Sequence, residues 1–271
     1  NAAVAAESKV GLNLLSNSKS YDWKSTADGA YNWKTDKFVV FDGSTWVTAS
    51  VKAVRYYMDP RNFLDERGIF QFESLKYRSD VQTQTGVENV LRNTPMYNTN
   101  FTYTNNAGKN VSIKYSKAFM EAAAASKVSP YHLASRVKQE VVISSTMMSS
   151  SVSGNVAGYK GIYNFYNIGA NSGANAVKNG LKWASTGTDY SRPWNNRYRS
   201  IYGGACYIGK QYINVGQNTL YLQKFNVTAT KRYDHQYMAN IEAPNNEATK
   251  TANAYGSDKD NTPIVFSITC R

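Results

Sequence analysis

The chain is short of the residues that most catalytic sites are built from. Its 271 residues include two histidines, His132 and His235. A three-histidine metal site is therefore excluded, and a Ser-His-Asp triad has little to draw on. Two cysteines, Cys206 and Cys270, rule out a zinc cluster or a disulfide-dense scaffold. They form either one disulfide or two buried thiols, and the helical look of "GGACYIG" leans toward thiols. There is no P-loop and no GxGxxG fingerprint. No apolar run approaches the ~20 residues that cross a bilayer. Internal repeats and heptads are missing too. The chain opens "NAAVAAESKV", with neither Met nor a signal peptide, and so reads as a processed protein or an excised domain. No metal and no cofactor is expected.

Acids are scarce as well. Asp and Glu total 19 against 31 Lys and Arg, for a formal charge of +12. That balance favours a polyanionic partner: nucleic acid, an anionic membrane surface or an anionic wall polymer. The basic residues are scattered, so a merely solvated surface explains them equally well. Tyrosine is abundant at 21. Aromatics over a polar groove stack on sugars or on bases and do not separate the two. With 42% hydrophobic residues the chain can bury a sizeable core.

Residues 1–55 are polar and aromatic; "KFVVFDG" and "STWVTASV" read as strands joined at Asp42-Gly43, so this segment is expected to be β-rich. Asp59-Pro60 marks a turn or helix start. A short helix is expected around Val87–Leu91, stopped before Pro95. "YSKAFMEAAAASKVSP" is a strong helix, with Tyr115, Phe119, Ala122 and Ala123 on one face. The next helix follows at once, with Ser129 as N-cap and Pro130 at its first position. Further helices are expected in "ANAVKNGLKWAS", "YGGACYIGKQYINV" and "DHQYMANIEAP", the last ending before Pro244. A polar tail from Asn245 then leads to "TPIVFSITC", a closing strand.

In "VSPYHLASRVKQEVV" the apolar stripe is Leu133, Val137 and Val141. Glu140 lies on its flank at the helix C-terminal end. Partial burial and the negative end of the helix dipole both disfavour a carboxylate there. A carboxyl that keeps its proton is what general acid catalysis needs. The plainer reading is an i,i+4 pair with Arg136.

Four separated segments, "YMDPRNFLDERGIFQFESL", "ASRVKQEV", "GIYNFYNIGA" and "GQNTLYLQKFNV…HQYMANIEAP", occur in an order that resembles the catalytic domain of Gram-positive cell-wall endo-β-N-acetylglucosaminidases, glycoside hydrolase family 73. The resemblance runs from about Tyr56 to Pro244. It implies a mainly α (α+β), lysozyme-like fold, with a small β element beside the β-rich N-terminal segment. The expected division is 1–55, a core over 56–244 and a tail over 245–271, within one compact domain. The implied substrate is the peptidoglycan glycan strand, cut after N-acetylglucosamine by a secreted, wall-associated enzyme. Neither nucleic acid nor a membrane span has a part in it, and the positive charge would meet anionic wall polymers.

The resemblance makes Glu140 the general acid and brings Tyr166 near the reacting sugar. Asn164, Phe165 and Asn167 of "YNFYNIGA" would line the cleft; on their chemistry alone they are a turn packed by aromatics. Shorter members have Gly at the position of Asn167. Most glycosidases use two carboxylates. The candidates for the second are Glu73, also placed among the substrate-binding residues, and Asp59, with Glu121 read as a surface residue. The acetamido group of the substrate is a third route. The Ser/Gly-rich loop 144–158 would close over the glycan, or else is a plain connector. A lytic transglycosylase and a non-catalytic cationic binding module are the competing readings.

Overall fold

The computed structural model describes residues 1–171 and 173–268. It divides into two compact units. One holds residues 1–73, 216–250 and the C-terminal stretch from 266; the other holds 74–215 and 251–265. This differs from the expected segments. Residues 56–73 and 216–244 fold with the N-terminal strands, because Phe63, Phe72, Tyr221, Phe225 and Ile241 share one buried core with Leu15, Val47 and Val54. Apolar side chains brought together from distant stretches decide a unit, and linear segments do not show that.

The first unit opens with α1 (Ala2–Glu7) and β1 (Leu14–Ser16). The ladder β2 (Tyr31–Asn32) and β3 (Lys37–Phe38) follows, then β4 (Val40–Asp42) and β5 (Trp46–Thr48). The sheet order is β1-β5-β4, antiparallel, with Leu15 opposite Val47. The Ser50 hydroxyl caps α2 (Val51–Met58) by accepting from the Ala53 amide. Asp59 is a cap too: its carboxylate accepts from the Arg61 amide at 3.1 Å and pairs with the Arg61 guanidinium. That contact holds its carboxyl below the usual range. Glu73 is buried and sits in a bridge with Phe266. Among the described residues of the expected closing strand, that bridge forms together with two backbone bonds, Ser267 N–H donating to the Phe72 carbonyl and Ser74 N–H to the Val265 carbonyl. Cys270 lies outside the described residues, so the expectation for the cysteine pair does too.

The second unit is helical. Thr83 caps α3 (Gln84–Leu91) by accepting from the Gly86 amide. A hairpin follows, β6 (Asn100–Thr104) and β7 (Asn110–Lys114), with Tyr103 opposite Val111. Sequence reading passed over it, although "FTYT" and "VSIK" alternate around the turn residues "NNAGKN". Then come α4 (Tyr115–Ser126) and α5 (Pro130–Val141), joined by Lys127 in the left-handed region. The tight hairpin of helices, the Ser129 cap and Pro130 at the first position form as expected.

Helix α6 (Ala176–Ser185) leads to α7 (Arg197–Gln211), which packs along α4. Buried Ala118 and Ala122 keep α4 slim. Gly204 of α7 is required by close approach: a Cβ there would lie 2.2 Å from the Tyr166 ring. The chain then adds α8 (Leu220–Lys224) to the first unit. "DHQYMANIEAP" is not a helix. The helix starts at its end, as α9 (Ala243–Tyr255), and takes in the first part of the expected polar tail, as far as Tyr255. Proline lacks only an N–H that the first turn does not use, so Pro244 begins this helix where it was expected to mark an end. No helix among the described residues is long and apolar enough to cross a membrane.

Candidate active site

Helix α5 turns its buried stripe, Leu133, Val137 and Val141, into the second unit. Its far end is fixed from two sides. Lys138 runs inward and donates to the carbonyls of Val90 at 2.9 Å, Arg92 at 3.1 Å and Ala254 at 2.7 Å. The ammonium thus satisfies helix-end carbonyls that would otherwise be orphaned. Burial lowers its pKa, while Asp258 acts in the opposite sense. The amide of Ser149 donates back to the Val141 carbonyl at 2.7 Å.

Glu140 is the penultimate residue of α5, and its side chain is 29% exposed. The i,i+4 pair forms: Arg136 Nη2 donates to Glu140 Oε1 at 2.9 Å. The second contact comes from the "YNFYNIGA" loop. Asn167 Nδ2 donates to the Glu140 carbonyl at 2.8 Å and reaches Oε2 at 3.3 Å. Two of the segments singled out in the sequence therefore meet at one carboxylate. Asn167 adopts φ +50°. Glycine enters that region freely and asparagine tolerates it, so either residue can hold the turn. Asparagine adds an amide that a glycine lacks.

The rest of that loop points inward. Asn164 is fully buried. Its Nδ2 donates to the carbonyls of Ile168 and Gly180, both at 2.9 Å, and its Oδ1 accepts from the Ile168 amide. Its amide is spent on closing the turn and tying it to α6, which corrects the expectation that it binds sugar. Phe165 is likewise buried, against Tyr115, and its N–H donates to Ser200 Oγ. It packs and does not line a cleft. Tyr166 is 6% exposed, lies against Gly204 and donates its hydroxyl to the Ile201 carbonyl at 3.3 Å. Burial raises its pKa well above the ordinary phenol value. Together Asn164, Phe165 and Tyr166 anchor the loop to α6 and α7, leaving Asn167 to face Glu140.

Loop 144–158 is more ordered than a lid needs. Ser149 Oγ accepts from the Ser151 amide, and Ser151 and Val152 are buried. Serine hydroxyls that bond their own turns stiffen the segment. The turn carrying Ile143 and Met147, just past Glu140, is exposed, as are Ser153, Asn155, Ala157 and Gly158.

Among the described residues of this unit, four other acids are engaged elsewhere, and Asp189 and Asp260 are exposed beside Arg192 and Lys259. Glu121 accepts from the Tyr198 hydroxyl at 2.8 Å. Asp258 pairs with Arg92, Asp80 with Arg78, and Glu88 accepts from the Asn98 amide. Glu73 and Asp59 belong to the other unit. No group of three metal-ligating side chains exists among the described residues. Sequence reading missed Asn167 as the residue that holds the carboxylate's helix end, and Lys138 as its anchor. An amide opposite a helix end leaves no periodic trace.

No protein-family model matches the chain. It is 30% identical over 200 residues to a β-N-acetylglucosaminidase of Bacillus subtilis, a match covering 72% of this chain and 20% of that protein. The chain thus spans about a fifth of that relative. Its fold is that of Staphylococcus aureus glucosaminidase B, with a TM-score of 0.60 and 23% identity over 94% of this chain and 83% of that one. S. aureus autolysin E, solved with the muropeptide NAM-L-Ala-D-iGlu, matches over the whole chain and 94% of its own length, with a TM-score of 0.53 and 18% identity. A catalytic glutamate-to-alanine mutant of autolysin E was solved with the disaccharide NAG-NAM. The mainly α architecture with small β elements and a β-rich N-terminal segment is the expected one, and the relatives are of the kind the motifs resemble.

Proposed function

We propose that the chain is the catalytic domain of a peptidoglycan hydrolase, an endo-β-N-acetylglucosaminidase that cleaves the β-1,4 bond between N-acetylglucosamine and N-acetylmuramic acid. The observation that carries this reading is the meeting of Glu140 with Asn167: a partly buried carboxyl at the end of α5, its helix end gripped by the "YNFYNIGA" loop. Names and bound ligands of the relatives point the same way.

Glu140 gives its proton to the leaving oxygen of N-acetylmuramic acid as the glycosidic bond breaks. In this reading the acetamido oxygen of N-acetylglucosamine is the internal nucleophile. It bonds to the anomeric carbon as the leaving group departs. Water then opens the ring so formed, and its proton returns to Glu140. Asn167 and Arg136 keep the carboxyl oriented, and the carboxyl supplies the chemistry. The enzyme would be secreted and held at the wall, its +12 charge drawing it to anionic polymers.

Digested peptidoglycan, reduced with borohydride and analysed by mass spectrometry, should contain N-acetylglucosaminitol. Muramitol would mean a muramidase, and 1,6-anhydro-muramic ends a transglycosylase. The first-formed product should retain its β configuration by NMR; inversion would require a water-activating acid instead.

Tyr166→Phe tests the revised role of that ring. With the phenol bonded to Ile201, its loss should cost about 1 kcal/mol of stability, a typical buried hydrogen bond. Activity should stay within about threefold of wild type, since no interaction made only in the transition state is lost. A large fall in kcat at unchanged KM and melting temperature would return the phenol to the reaction, as the resemblance implied.

A further inference from the structure

Helix α7 serves the Glu140 loop with Ser200 and Ile201. Another face of its first turns carries Tyr198, Arg199 and Tyr202. These line a cavity of about 290 Å³ with Tyr103, Asn105 and Asn106 from the tip of the β6–β7 hairpin. We infer that this cavity is a further carbohydrate subsite, taking an anionic N-acetylated pyranose: the N-acetylmuramoyl residue of a glycan strand. The choice of sugar rests on the glycan reading above; the shape and polarity of the cavity do not.

The size suits one ring, at the lower end of small-molecule sites, about 300–1,000 Å³. Its aromatic wall is prearranged. Tyr103 and Tyr198 stack at 4.6 Å with planes 3° apart, and Tyr202 continues the stack at 6.0 Å from Tyr198. Glu121 fixes Tyr198 by accepting its hydroxyl hydrogen. Asn196 joins hairpin to helix, capping α7 through the Arg199 amide and reaching the Thr104 carbonyl at 3.5 Å. Rings already ordered cost little entropy when a sugar's C–H face covers them.

The polar groups are biased toward donors. Asn105 Oδ1 is taken by the amides of Ala107 and Lys109, both at 3.0 Å, leaving its NH₂ for a ligand. Arg199 is the charged group of the lining, with no acid beside it there. Its contact with Asn195 Oδ1, at 3.4 Å, is long. A donor-rich wall selects an acceptor-rich ligand, and a guanidinium fork selects a carboxylate. An acetamido carbonyl together with a lactyl carboxylate meets both demands.

The full chain carrying Glu140→Gln, which prevents turnover, is titrated with N-acetylmuramic acid and with N-acetylglucosamine while backbone amides are followed by NMR. N-acetylmuramic acid should shift the amides of 103–106 and 196–202. N-acetylglucosamine, without the carboxylate, should bind there about tenfold more weakly, and Arg199→Gln should weaken N-acetylmuramic acid by about as much, the loss of one charge-assisted contact. Asn106→Asp, on the exposed hairpin tip, should do the same by repulsion. Shifts confined to residues near 140 and 164–170, a Kd unchanged in both variants, or equal shifts from inorganic phosphate would overturn the subsite. Binding here without glucosaminidase products in the digest would instead sink the hydrolase reading and leave the subsite standing.

Discussion

Glu140→Gln should lower the initial rate on purified peptidoglycan by at least ~10²-fold, the lower bound for loss of a general acid. Glutamine keeps the shape and gives up only the long 3.3 Å contact of Asn167 Nδ2 with Oε2. Its amide oxygen can still accept from Arg136, and the Asn167 bond to the backbone carbonyl is untouched. What disappears is the proton. The fold should hardly notice: an i,i+4 ion pair whose side chains are 28% and 29% exposed contributes about 0.3–0.5 kcal/mol. Rate and melting curve measured on one preparation separate chemistry from folding. Undiminished activity would remove Glu140 from the mechanism, and loss of activity together with loss of the cooperative melt would leave its role to a milder variant.

How much of this was readable in advance follows from what makes each feature. Helices α4 and α5 were legible because alanine content, a Ser-Pro start and a 3.6-residue stripe are local signals. Glu140 was legible only as an acid in an odd place; its partner Arg136 followed from spacing. Asn164, Phe165 and Tyr166 were legible as a motif but not as to direction. Chemistry alone lets an asparagine bind sugar or close a turn, and here buried carbonyls at Ile168 and Gly180 claim it. The start of α9 was misread because Pro244 was taken as a stop, when its missing N–H suits a first turn equally well. The two units were not legible at all. Phe72 and Tyr221 pack at 5.3 Å across some 150 residues of sequence, and no window of sequence contains such a pair.

His132 should make the helix that carries Glu140 sensitive to acid. It lies two turns before Glu140 in α5, and burial, aided by the nearby Arg136 charge, pushes its pKa from 6.5 down to about 3. The folded state therefore holds a neutral ring where the unfolded chain would take up a proton. Stability from this source is complete above about pH 6.5 and is lost as pH falls toward 3, at about 1.4 kcal/mol for each pH unit. Urea unfolding at pH 7, 5.5 and 4.5 measures it against His132→Gln, which cannot titrate. Wild type should lose stability more steeply than the variant by about 1 kcal/mol per unit across this window, whatever the carboxylates add to both. Parallel curves would show that the ring is solvated or already charged. The comparison also bears on catalysis. A fall in activity below pH 6 that tracks the His132 transition, and is shallower in His132→Gln, reports loss of α5 from the folded state. A fall common to both proteins belongs to the groups that act on the glycan.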